Sequence, residues 1–512
     1  MNIRVIPRLD IKGPNLVKGI HLEGLRVLGR PEDFARKYYE QGADELVYID
    51  LVASLYGRSN LKEIISRTAG HIFIPLTVGG GVRSVEDMRE LLRAGADKIA
   101  INTALFTDPT LLEKGANVFG SQCMVLYVEA KRMPDGRYLC MHTNARENSG
   151  REVVDWVREA VSRGAGEVLL TSEDREGTGL GYDLELLRKV NDAVEVPIIA
   201  SGGVGNVGHL IEGAAVLGAG AVSAASIFHY HSLVEITDTR RFESEGNTAF
   251  IELSRSHTSA YLEGRIKSAG IGEAKSVLAA AGFNLRVGTQ EPIKGLTGMA
   301  PDVVIVDYGM GNLFSLSRAI QRLTGKEATI TNDPSVVRSA SKVILPGVGA
   351  FGDAMANLRE CGLVQSLRDR AAHGLPLLGI CLGMQLLLSR SYEFGVHEGL
   401  DIIPGEVRHL FDKGCHAGTP VPHIGWAGLR IPCQNDWQNT PFASLVDCCP
   451  AYFVHSFAAR PQYAEDVLSL TEYGPATFVS AVLRGNVCGC QFHPELSGPG
   501  GLSILANFLK TR

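Results

Sequence analysis

Residues 74–104, IPLTVGGGVRSVEDMRELLRAGADKIAINTA, predict a strand, a helix and a second strand. The runs IPLTVGG and KIAINTA are short and apolar, whereas the segment between them has the spacing of an amphipathic helix that ends at Gly95. Similar apolar runs recur through residues 1–230, as ELVYIDL (45–51), MVLYVEA (124–130), EVLLTS (167–172) and VPIIASGG (196–203). Repeated strand–helix alternation predicts a parallel sheet, and the number of units predicts a closed (β/α)₈ TIM-type barrel.

An internal repeat supports closure of this barrel. Glu45, IPLTVGGG and AGAD in the first half correspond to Glu167, VPIIASGG and GAG in the second half, at nearly constant spacing. A single half would leave open sheet edges, so a duplicated and fused half-barrel is the simplest interpretation.

The chain of 512 residues exceeds one hydrophobic core, so more than one domain is expected. Residues 1–286 are predicted to form the barrel, with a charged insertion at about 231–270 that fits the strand–helix pattern poorly. The polar stretch 287–300 is predicted to be a linker, and residues 301–512 are predicted to form a second α/β domain.

Composition and charge limit the possible partners and location. Hydrophobic residues make up 45% and charged residues 21%, which is typical of soluble globular proteins. The net charge of -6 leaves no basic surplus for nucleic acid or an anionic membrane. The start of the chain enters an apolar strand by Val5, so no signal peptide and a cytoplasmic location are expected. The ten cysteines complete no zinc pattern and are expected to be reduced.

The stretch LPLLGICLGMQLLL (375–388) carries a candidate nucleophile, Cys381. An apolar strand leads into it and an apolar helix follows, while small residues on either side permit a sharp turn. A thiol at the N-terminus of a helix is favoured as thiolate. The alternative is a buried structural cysteine, since cysteine is among the most buried residue types.

A second motif, CQFHPELSG (490–498), supplies a base and a carboxylate. His493 and Glu495 are two residues apart, and Pro494 stiffens the link between them. Together with Cys381 they suit a nucleophile, its base and the group that orients the base. The two motifs therefore predict a Cys–His–Glu triad.

These residues are similar to those of the class I glutamine amidotransferases, which residues 301–512 resemble throughout. Four segments resemble more closely the glutaminase subunit of the imidazole glycerol phosphate synthase family: DYGMGNLFSL (307–316), LPGVGAFGDAM (345–355), HIGW (423–426) and YFVHSF (452–457). The resemblance implies a doubly wound α/β domain. It also implies that Gln385 helps to hold glutamine and that an oxyanion strand is formed by Gly347, Val348 and Gly349.

The barrel half resembles the cyclase subunit of the same family over residues 1–230 and again near 273–286. The segment VIPRLDIKGPNLVKG (5–19) supplies Asp10 at a strand end, followed by a lysine-bearing loop, and Glu129 occupies the pseudo-symmetric position. Either carboxylate alone is as easily explained by an ion pair with a nearby lysine. Two carboxylates at the mouth of opposed strands favour general acid–base catalysis.

Two repeated sets of residues are predicted to bind phosphate groups. A Gly-Gly pair after a strand lets backbone N–H groups approach phosphate, with a helix N-terminus behind them. One such pair is usually only a turn, but two copies related by the repeat predict a substrate with phosphates at both ends. The sets are Gly80, Gly81, Asn102 and Thr103, and Gly202, Gly203, Ala225 and Ser226.

Four charged residues of alternating sign begin barrel strands: Arg4, Glu45, Lys98 and Glu167. Any one of them is an ordinary strand-end charge. The family resemblance implies that together they form a charged ring at the bottom of the barrel, where ammonia enters.

The resemblance implies glutamine and the ribulosyl intermediate PRFAR as substrates, with imidazole glycerol phosphate and AICAR as products. It implies no metal or organic cofactor, and a synthase paired with a glutaminase within one chain.

Three features depart from the family pattern: Glu129 replaces an aspartate, Leu496 replaces a lysine that would face Asp97, and the glutaminase comes last. An alternative is a paralogous ammonia donor for a sugar precursor in surface-polysaccharide synthesis. A non-catalytic scaffold is a third alternative, against which the presence of the nucleophile and the glycines argues.

Overall fold

The computed structural model describes residues 2–21, 23–52, 61–233, 264–286, 302–411, 418–433 and 436–511. These residues belong to two compact units, one formed by Met1–Gly115 with Cys123–Thr289 and one by Ala116–Gln122 with Gln290–Arg512. The predicted linker (287–300) lies outside the described residues, as does most of the predicted insertion (231–270). Both therefore stay predictions.

In its described residues the first unit has twelve strands: β1 (Ile3–Lys12), β2 (Asn15–Ile20), β3 (Glu23–Gly29), β4 (Leu46–Asp50), β5 (Leu76–Gly79), β6 (Lys98–Ile101), β7 (Met124–Arg132), β8 (Tyr138–His142), β9 (Glu147–Glu152), β10 (Glu167–Ser172), β11 (Ile198–Ser201) and β12 (Gly220–Ala224). Parallel pairing runs through β1, β4, β5, β6, β7, β10, β11 and β12 and returns to β1. The predicted (β/α)₈ barrel is confirmed. In this closed order β7 is four strands from β1, so the two strands lie on opposite sides of the barrel.

Helices of the first unit follow the strands as the sequence predicts, and polar side chains cap several of them. Ser84 accepts a hydrogen bond from the Asp87 amide, and Asp183 accepts one from the Leu186 amide. The helices along residues 31–280 are α1 (Pro31–Glu40), α2 (Leu61–Ala69), α3 (Val85–Arg93), α4 (Thr103–Thr107), α5 (Thr110–Phe119), α6 (Val153–Ser162), α7 (Leu184–Asn191), α8 (Val207–Leu217), α9 (Ser226–Leu233) and α10 (Ile271–Ala280), with a 3₁₀ turn at Ser121–Cys123. The end of α5 and Ser121–Gln122 belong to the second unit.

Two antiparallel extensions of the barrel differ from the prediction. The predicted lysine-bearing loop after Asp10 is a strand, β2, which pairs with the end of β1 and continues into β3. In the same way β8 and β9 extend β7 beyond Glu129. Both carboxylates therefore lie where a barrel strand continues into a ribbon, and the ribbon backbone restrains them more firmly than a loop would.

The described part of the second unit contains an 11-stranded mixed sheet and a separate two-stranded sheet, β20 with β21. Its strands are β13 (Val303–Val306), β14 (Thr329–Thr331), β15 (Lys342–Leu345), β16 (Leu377–Ile380), β17 (Leu388–Ser391), β18 (His397–Glu398), β19 (Ile403–His409), β20 (His423–Leu429), β21 (Cys449–His455), β22 (Phe457–Pro461), β23 (Val467–Tyr473), β24 (Ala476–Arg484) and β25 (Val487–Cys490). Parallel pairing joins β14, β13, β15, β16 and β25 in that order, and β24 then runs antiparallel to β25.

Helices cover the parallel part of this sheet and bury the apolar side chains of β13, β15 and β16. They are α11 (Leu313–Thr324), α12 (Pro334–Ser339), α13 (Phe351–Glu360), α14 (Leu363–Ala372), α15 (Leu382–Leu386) and α16 (Gly498–Lys510), with 3₁₀ turns at Ala464–Asp466 and Pro494–Leu496. The α/β class predicted for this half of the chain is confirmed.

A buried ion cluster at Asp44 joins α10 to the start of the barrel. Its carboxylate accepts hydrogen bonds from Lys275 Nζ at 2.5 Å, Arg286 Nε at 2.8 Å and the Val5 amide at 2.9 Å. Burial by itself would raise the pKa of Asp44, but the charges of Lys275 and Arg286 hold it below its usual value. The cluster therefore stabilises the fold above the pKa of a free aspartate, and this contribution is lost as the pH falls through the lower pKa of folded Asp44.

We expect Asp44→Asn to reduce the free energy of unfolding by about 3–5 kcal/mol, because two cations would stay buried without their anion. Urea denaturation of the full chain at neutral pH, followed by circular dichroism, measures this loss. Asp33→Asn is the matched control, since the Asp33 side chain is about half exposed and its ion pair with Arg36 is long, at 3.8 Å. Equal midpoints for the two variants would contradict the prediction.

Candidate active sites

The turn at Cys381 has the strained backbone of a nucleophile elbow. Strand β16 ends at Ile380 and α15 begins at Leu382, and Cys381 between them has φ 55° and ψ -111°. Positive φ is uncommon for a residue other than glycine and persists only where surrounding structure holds it. Close packing supplies that restraint, because a Cβ at Gly379 would lie 2.7 Å from the Gly383 carbonyl oxygen.

His493 and Glu495 complete the predicted triad within the second unit. His493 Nδ1 lies 2.8 Å from Glu495 Oε1, and all three triad side chains are buried. Burial alone would lower the pKa of His493, but the neighbouring Glu495 and Cys381 raise it well above its usual value. Since Glu495 engages Nδ1, the nitrogen that remains for the thiol is Nε2. The arrangement is that of a nucleophile and its base, with Glu495 orienting the imidazole.

The predicted oxyanion strand, Gly347–Val348–Gly349, directly follows β15 and Pro346. A Cβ at Gly347 would collide with the Tyr308 hydroxyl and lie 3.2 Å from the Gly383 amide nitrogen. Gly349 has φ 120°, which only glycine adopts readily. The strand thus passes beside the residues that follow Cys381, where an oxyanion would form.

Gln385, the predicted glutamine-binding residue, is held by its own neighbours. Its Nε2 donates to the Phe457 carbonyl at 2.9 Å and to Gln491 Oε1 at 3.0 Å. Gln491 in turn directs its Nε2 towards Cys381 Sγ at 3.8 Å. Gln491 is a site residue that the sequence motifs did not single out, although its position in CQFHPELSG, two residues before His493, was an available signal.

A neutral histidine also borders the triad. Burial, with a smaller effect from His493, lowers the pKa of His455 to about 4. Its Nδ1 lies 2.8 Å from the Phe457 carbonyl and its Nε2 lies 3.3 Å from His423 Nδ1. His455 is therefore uncharged at neutral pH and adds no positive charge that would compete with His493.

In the first unit, Asp10 on β1 and Glu129 on β7 lie on opposite sides of the barrel, and both are buried. Asp10 Oδ1 accepts a hydrogen bond from Arg8 Nε at 2.8 Å, and its Oδ2 lies 3.8 Å from Lys18 Nζ. Asp10 therefore forms a direct ion pair with Arg8 and a longer one with Lys18.

The Glu129 carboxylate has three hydrogen-bond donors. They are the Tyr127 hydroxyl at 3.0 Å, the Ala145 amide at 2.9 Å and Asn102 Nδ2 at 3.1 Å. Burial raises the pKa of Glu129 to about 6, against the opposing effect of the Ala145 and Tyr127 hydrogen bonds and of Arg8. A carboxyl group with this pKa exchanges protons near neutral pH, as a general acid or base requires.

A cavity of about 290 Å³ is lined by Glu129 and by all four residues of the first predicted phosphate-binding set. Gly80 and Gly81 have φ of 111° and 73°, and a Cβ at Gly80 would lie 2.5 Å from the Asp50 carbonyl oxygen. Asn102 and Thr103 stand at the start of α4 on the facing side. The close backbone approach and the helix N-terminus are the features that phosphate binding needs.

The second phosphate set repeats this arrangement at the ends of β11 and β12. Gly202 and Gly203 have φ of 94° and 98°, and Ala225 and Ser226 stand at the start of α9. Together they line a narrow cavity of about 10 Å³ with Lys18, Glu176 and Arg8. An ion pair between Lys18 and Glu176 spans this cavity.

The four predicted ring residues form a closed set of ion pairs at the N-terminal ends of the strands. Glu45 lies 2.8 Å from Arg4 and 2.5 Å from Lys98, and Glu167 lies 2.5 Å from Lys98 and also contacts Arg4. Each side chain is at most 1% exposed. Burial would raise the pKa of Glu167, but the charges of Arg4 and Lys98 lower it overall, so Glu167 stays ionised at neutral pH.

Arg8 and Tyr127 are site residues that sequence reasoning missed. Both are buried inside the barrel and contact the candidate carboxylates directly. The available signal was the alternation of side-chain direction along each strand. It directs Arg8 to the same side of β1 as Asp10, and Tyr127 to the same side of β7 as Glu129.

Asp97 and Leu496, which are predicted to face each other across the domains, are each described within their own unit. Asp97 accepts a hydrogen bond from the Leu76 amide at 2.8 Å, and Leu496 is buried in the 3₁₀ turn after His493. The effect of Leu496 on coupling stays a prediction.

Neither a metal site nor a membrane span is found within the described ranges. No three His, Cys, Asp or Glu side chains in them are grouped so as to hold a metal ion. The helices of those ranges are all too short or too polar to cross a membrane.

Both units match known protein families. Residues 4–234 match the family model "Histidine biosynthesis protein", and residues 304–511 match "Glutamine amidotransferase class-I". The HisF subunit of imidazole glycerol phosphate synthase from Legionella pneumophila is 60% identical over 206 residues, which are 40% of this chain and 97% of that protein. HisF of Streptococcus sanguinis is 49% identical, and HisF of Streptococcus gordonii 48% identical, over 238 residues, which are 46% of this chain and 94% of each relative.

Fold, site and comparisons define a barrel synthase fused to a class I glutamine amidotransferase. The chain belongs to the imidazole glycerol phosphate synthase family, with a HisF-type cyclase domain in its N-terminal half. Its two domains are those of a glutamine-dependent synthase of histidine biosynthesis.

Proposed function

We propose that the chain hydrolyses glutamine at Cys381 and delivers the ammonia to PRFAR at the mouth of its barrel. Imidazole glycerol phosphate and AICAR are then released. The observation that carries this proposal is the position of Asp10 and Glu129 at a single barrel mouth, with two matching Gly-Gly and helix-start sets around them. A substrate with a phosphate at each end fits this arrangement, and the HisF relatives support it.

Glutamine hydrolysis follows from the geometry of the triad. Cys381 thiolate attacks the side-chain amide carbon, and the amides of Gly347–Gly349 stabilise the oxyanion. His493 then gives its proton to the leaving nitrogen, so that ammonia departs and a glutamyl thioester remains. Water, deprotonated by His493, hydrolyses the thioester to glutamate, and Cys381 leaves as the thiolate while the proton stays on His493.

The cyclase step uses the two carboxylates on opposite strands. The phosphates bind at Gly80–Gly81 and at Gly202–Gly203, which places the reacting part of the substrate between Asp10 and Glu129. These two groups move protons during ring closure and elimination as general acid and base. Ammonia reaches them along the barrel axis, and the ring of Arg4, Glu45, Lys98 and Glu167 controls its entry. Pairing of synthase and glutaminase within one chain, the domain boundaries and a cytoplasmic location belong to the same proposal.

Product analysis tests the proposal. The full chain is incubated with glutamine and PRFAR, and we expect equal amounts of imidazole glycerol phosphate and AICAR. Glutamine hydrolysis without consumption of PRFAR, even with added ammonium, would contradict it and point to another acceptor, such as the sugar precursor of a polysaccharide pathway. The absence of glutamine hydrolysis would contradict the glutaminase assignment.

A further inference from the structure

Arg8 is a fully buried cation in the barrel interior, with 1% of its surface exposed. Its side chain lies on the same face of β1 as those of Arg4 and Asp10, because strand residues alternate. Arg4 is balanced by the charged ring, whereas Arg8 belongs to no ring and lies directly below the barrel mouth. A buried charge is costly unless it is paired and hydrogen-bonded, so its partners indicate its role.

The partners of Arg8 connect the two candidate catalytic carboxylates. Its Nε donates to Asp10 Oδ1 at 2.8 Å, and its Nη2 donates to the Tyr127 hydroxyl at 3.1 Å. That hydroxyl donates to Glu129 Oε1 at 3.0 Å. A continuous hydrogen-bonded chain, Asp10–Arg8–Tyr127–Glu129, therefore crosses the barrel from β1 to the opposite strand β7.

Two further strands hold the guanidinium in place. Nη1 donates to Thr171 Oγ1 on β10 at 2.8 Å and to Ser201 Oγ on β11 at 3.3 Å. The guanidinium carbon also lies 5.4 Å from the centre of the Tyr127 ring. A planar guanidinium fixed from four strands has little freedom to move, and such rigidity is what positions a reacting group.

Electrostatics support the same role. Burial alone would lower the pKa of Arg8, but Asp10, Tyr127 and Glu176 raise it overall, so the guanidinium stays charged. Arg8 also lowers the pKa of Glu129, against burial and against the charge of Asp10. Lys18, on β2, is a second cation that faces Asp10, and its ion pair with Glu176 is closer than its pair with Asp10.

We propose that Arg8 and Tyr127 form a positioning bridge that fixes Asp10 and Glu129 relative to each other for the cyclase reaction. The inference rests on the catalytic roles proposed above for these two carboxylates. It gives the longer side chain of Glu129 a defined place, because the Tyr127 hydroxyl holds one carboxylate oxygen while Asn102 and Ala145 hold the other.

The test is ammonium-driven turnover of PRFAR by the full chain across pH, with rates corrected for the fraction of free ammonia. Arg8→Met keeps most of the side-chain length but removes every hydrogen bond, and we expect kcat to fall about 10²-fold with little change in KM. In the plot of kcat against pH, the transition near pH 6 should move to higher pH. The reason is that Glu129 loses the positive charge of Arg8, which lowers the pKa of its carboxyl group. Arg8→Lys should restore part of both effects.

Tyr127→Phe keeps the ring and removes only the hydroxyl, so it tests the bridge with little effect on packing, and it decides the matter if Arg8→Met fails to fold. We expect a smaller loss of kcat and a shift of the same transition in the same direction. Arg36→Met is the matched control, since Arg36 is exposed and 3.8 Å from its nearest anion. It should match the unmodified chain.

Separate outcomes would overturn the bridge and the proposed function. If Asp10→Asn and Glu129→Gln are inactive while Arg8→Met and Tyr127→Phe keep the normal kcat and pH profile, the bridge is wrong and the proposed function stands. A rise in KM with unchanged kcat would assign Arg8 to phosphate binding instead. If Asp10→Asn and Glu129→Gln stay fully active, the proposed function itself fails.

Discussion

Replacing Cys381 with alanine is expected to reduce glutamine-driven synthesis by about 10⁴-fold or more, while ammonium-driven synthesis continues. The thiol supplies the only bond to the glutamyl group in the proposed mechanism, and neither His493 nor Glu495 can replace it. The barrel would still receive ammonia from solution at its mouth. Parallel assays with glutamine and with ammonium at alkaline pH, both with PRFAR, measure the two activities.

Cys361→Ala is the matched control for this prediction. Cys361 is a half-buried free cysteine at the end of α13, in the same unit, and belongs to no candidate site. The control should retain both activities. Substantial glutamine-driven synthesis by Cys381→Ala, or loss of it in Cys361→Ala, would contradict the triad assignment.

Replacing Glu129 with glutamine is expected to reduce synthesis about 10²–10⁴-fold whether ammonia comes from glutamine or from solution. Glutamine has nearly the same shape, and its carbonyl oxygen can accept the hydrogen bonds from Asn102 and Ala145. Its amide has no proton to exchange near pH 6, so the variant loses the chemistry and keeps the fold. The equal loss by both routes distinguishes this variant from Cys381→Ala.

Glu113→Gln is the control for the carboxylate-to-amide change, since Glu113 is an exposed residue of α5 that pairs with Arg163. It should have normal turnover with both ammonia sources. Retained synthesis in Glu129→Gln would mean that this position, where the family usually has aspartate, no longer acts in the reaction. Hydrolysis of glutamine by Glu129→Gln should remain measurable, because the triad residues are unchanged.

The sequence by itself determined the fold class and the chemistry of the glutaminase. Strand–helix alternation is a local pattern, and each predicted barrel strand from residue 45 to residue 203 overlaps an observed one. The triad was also predictable, since two short motifs contain its three residues. The family resemblance further implied that Arg4, Glu45, Lys98 and Glu167 form a charged ring at the bottom of the barrel, and in the structure these four side chains form ion pairs with one another.

Only the tertiary structure decided how the barrel mouth is built. Arg8 and Tyr127 are 119 residues apart, and Arg8 and Ser201 are 193 apart, so no local pattern relates them. They meet because closure of the sheet brings opposite strands to face each other across the interior. The same holds for the pKa of Glu129, which burial inside the closed barrel raises to about 6. Local patterns specify elements and which side of a strand each residue faces, whereas contacts across the barrel exist only after the strands close.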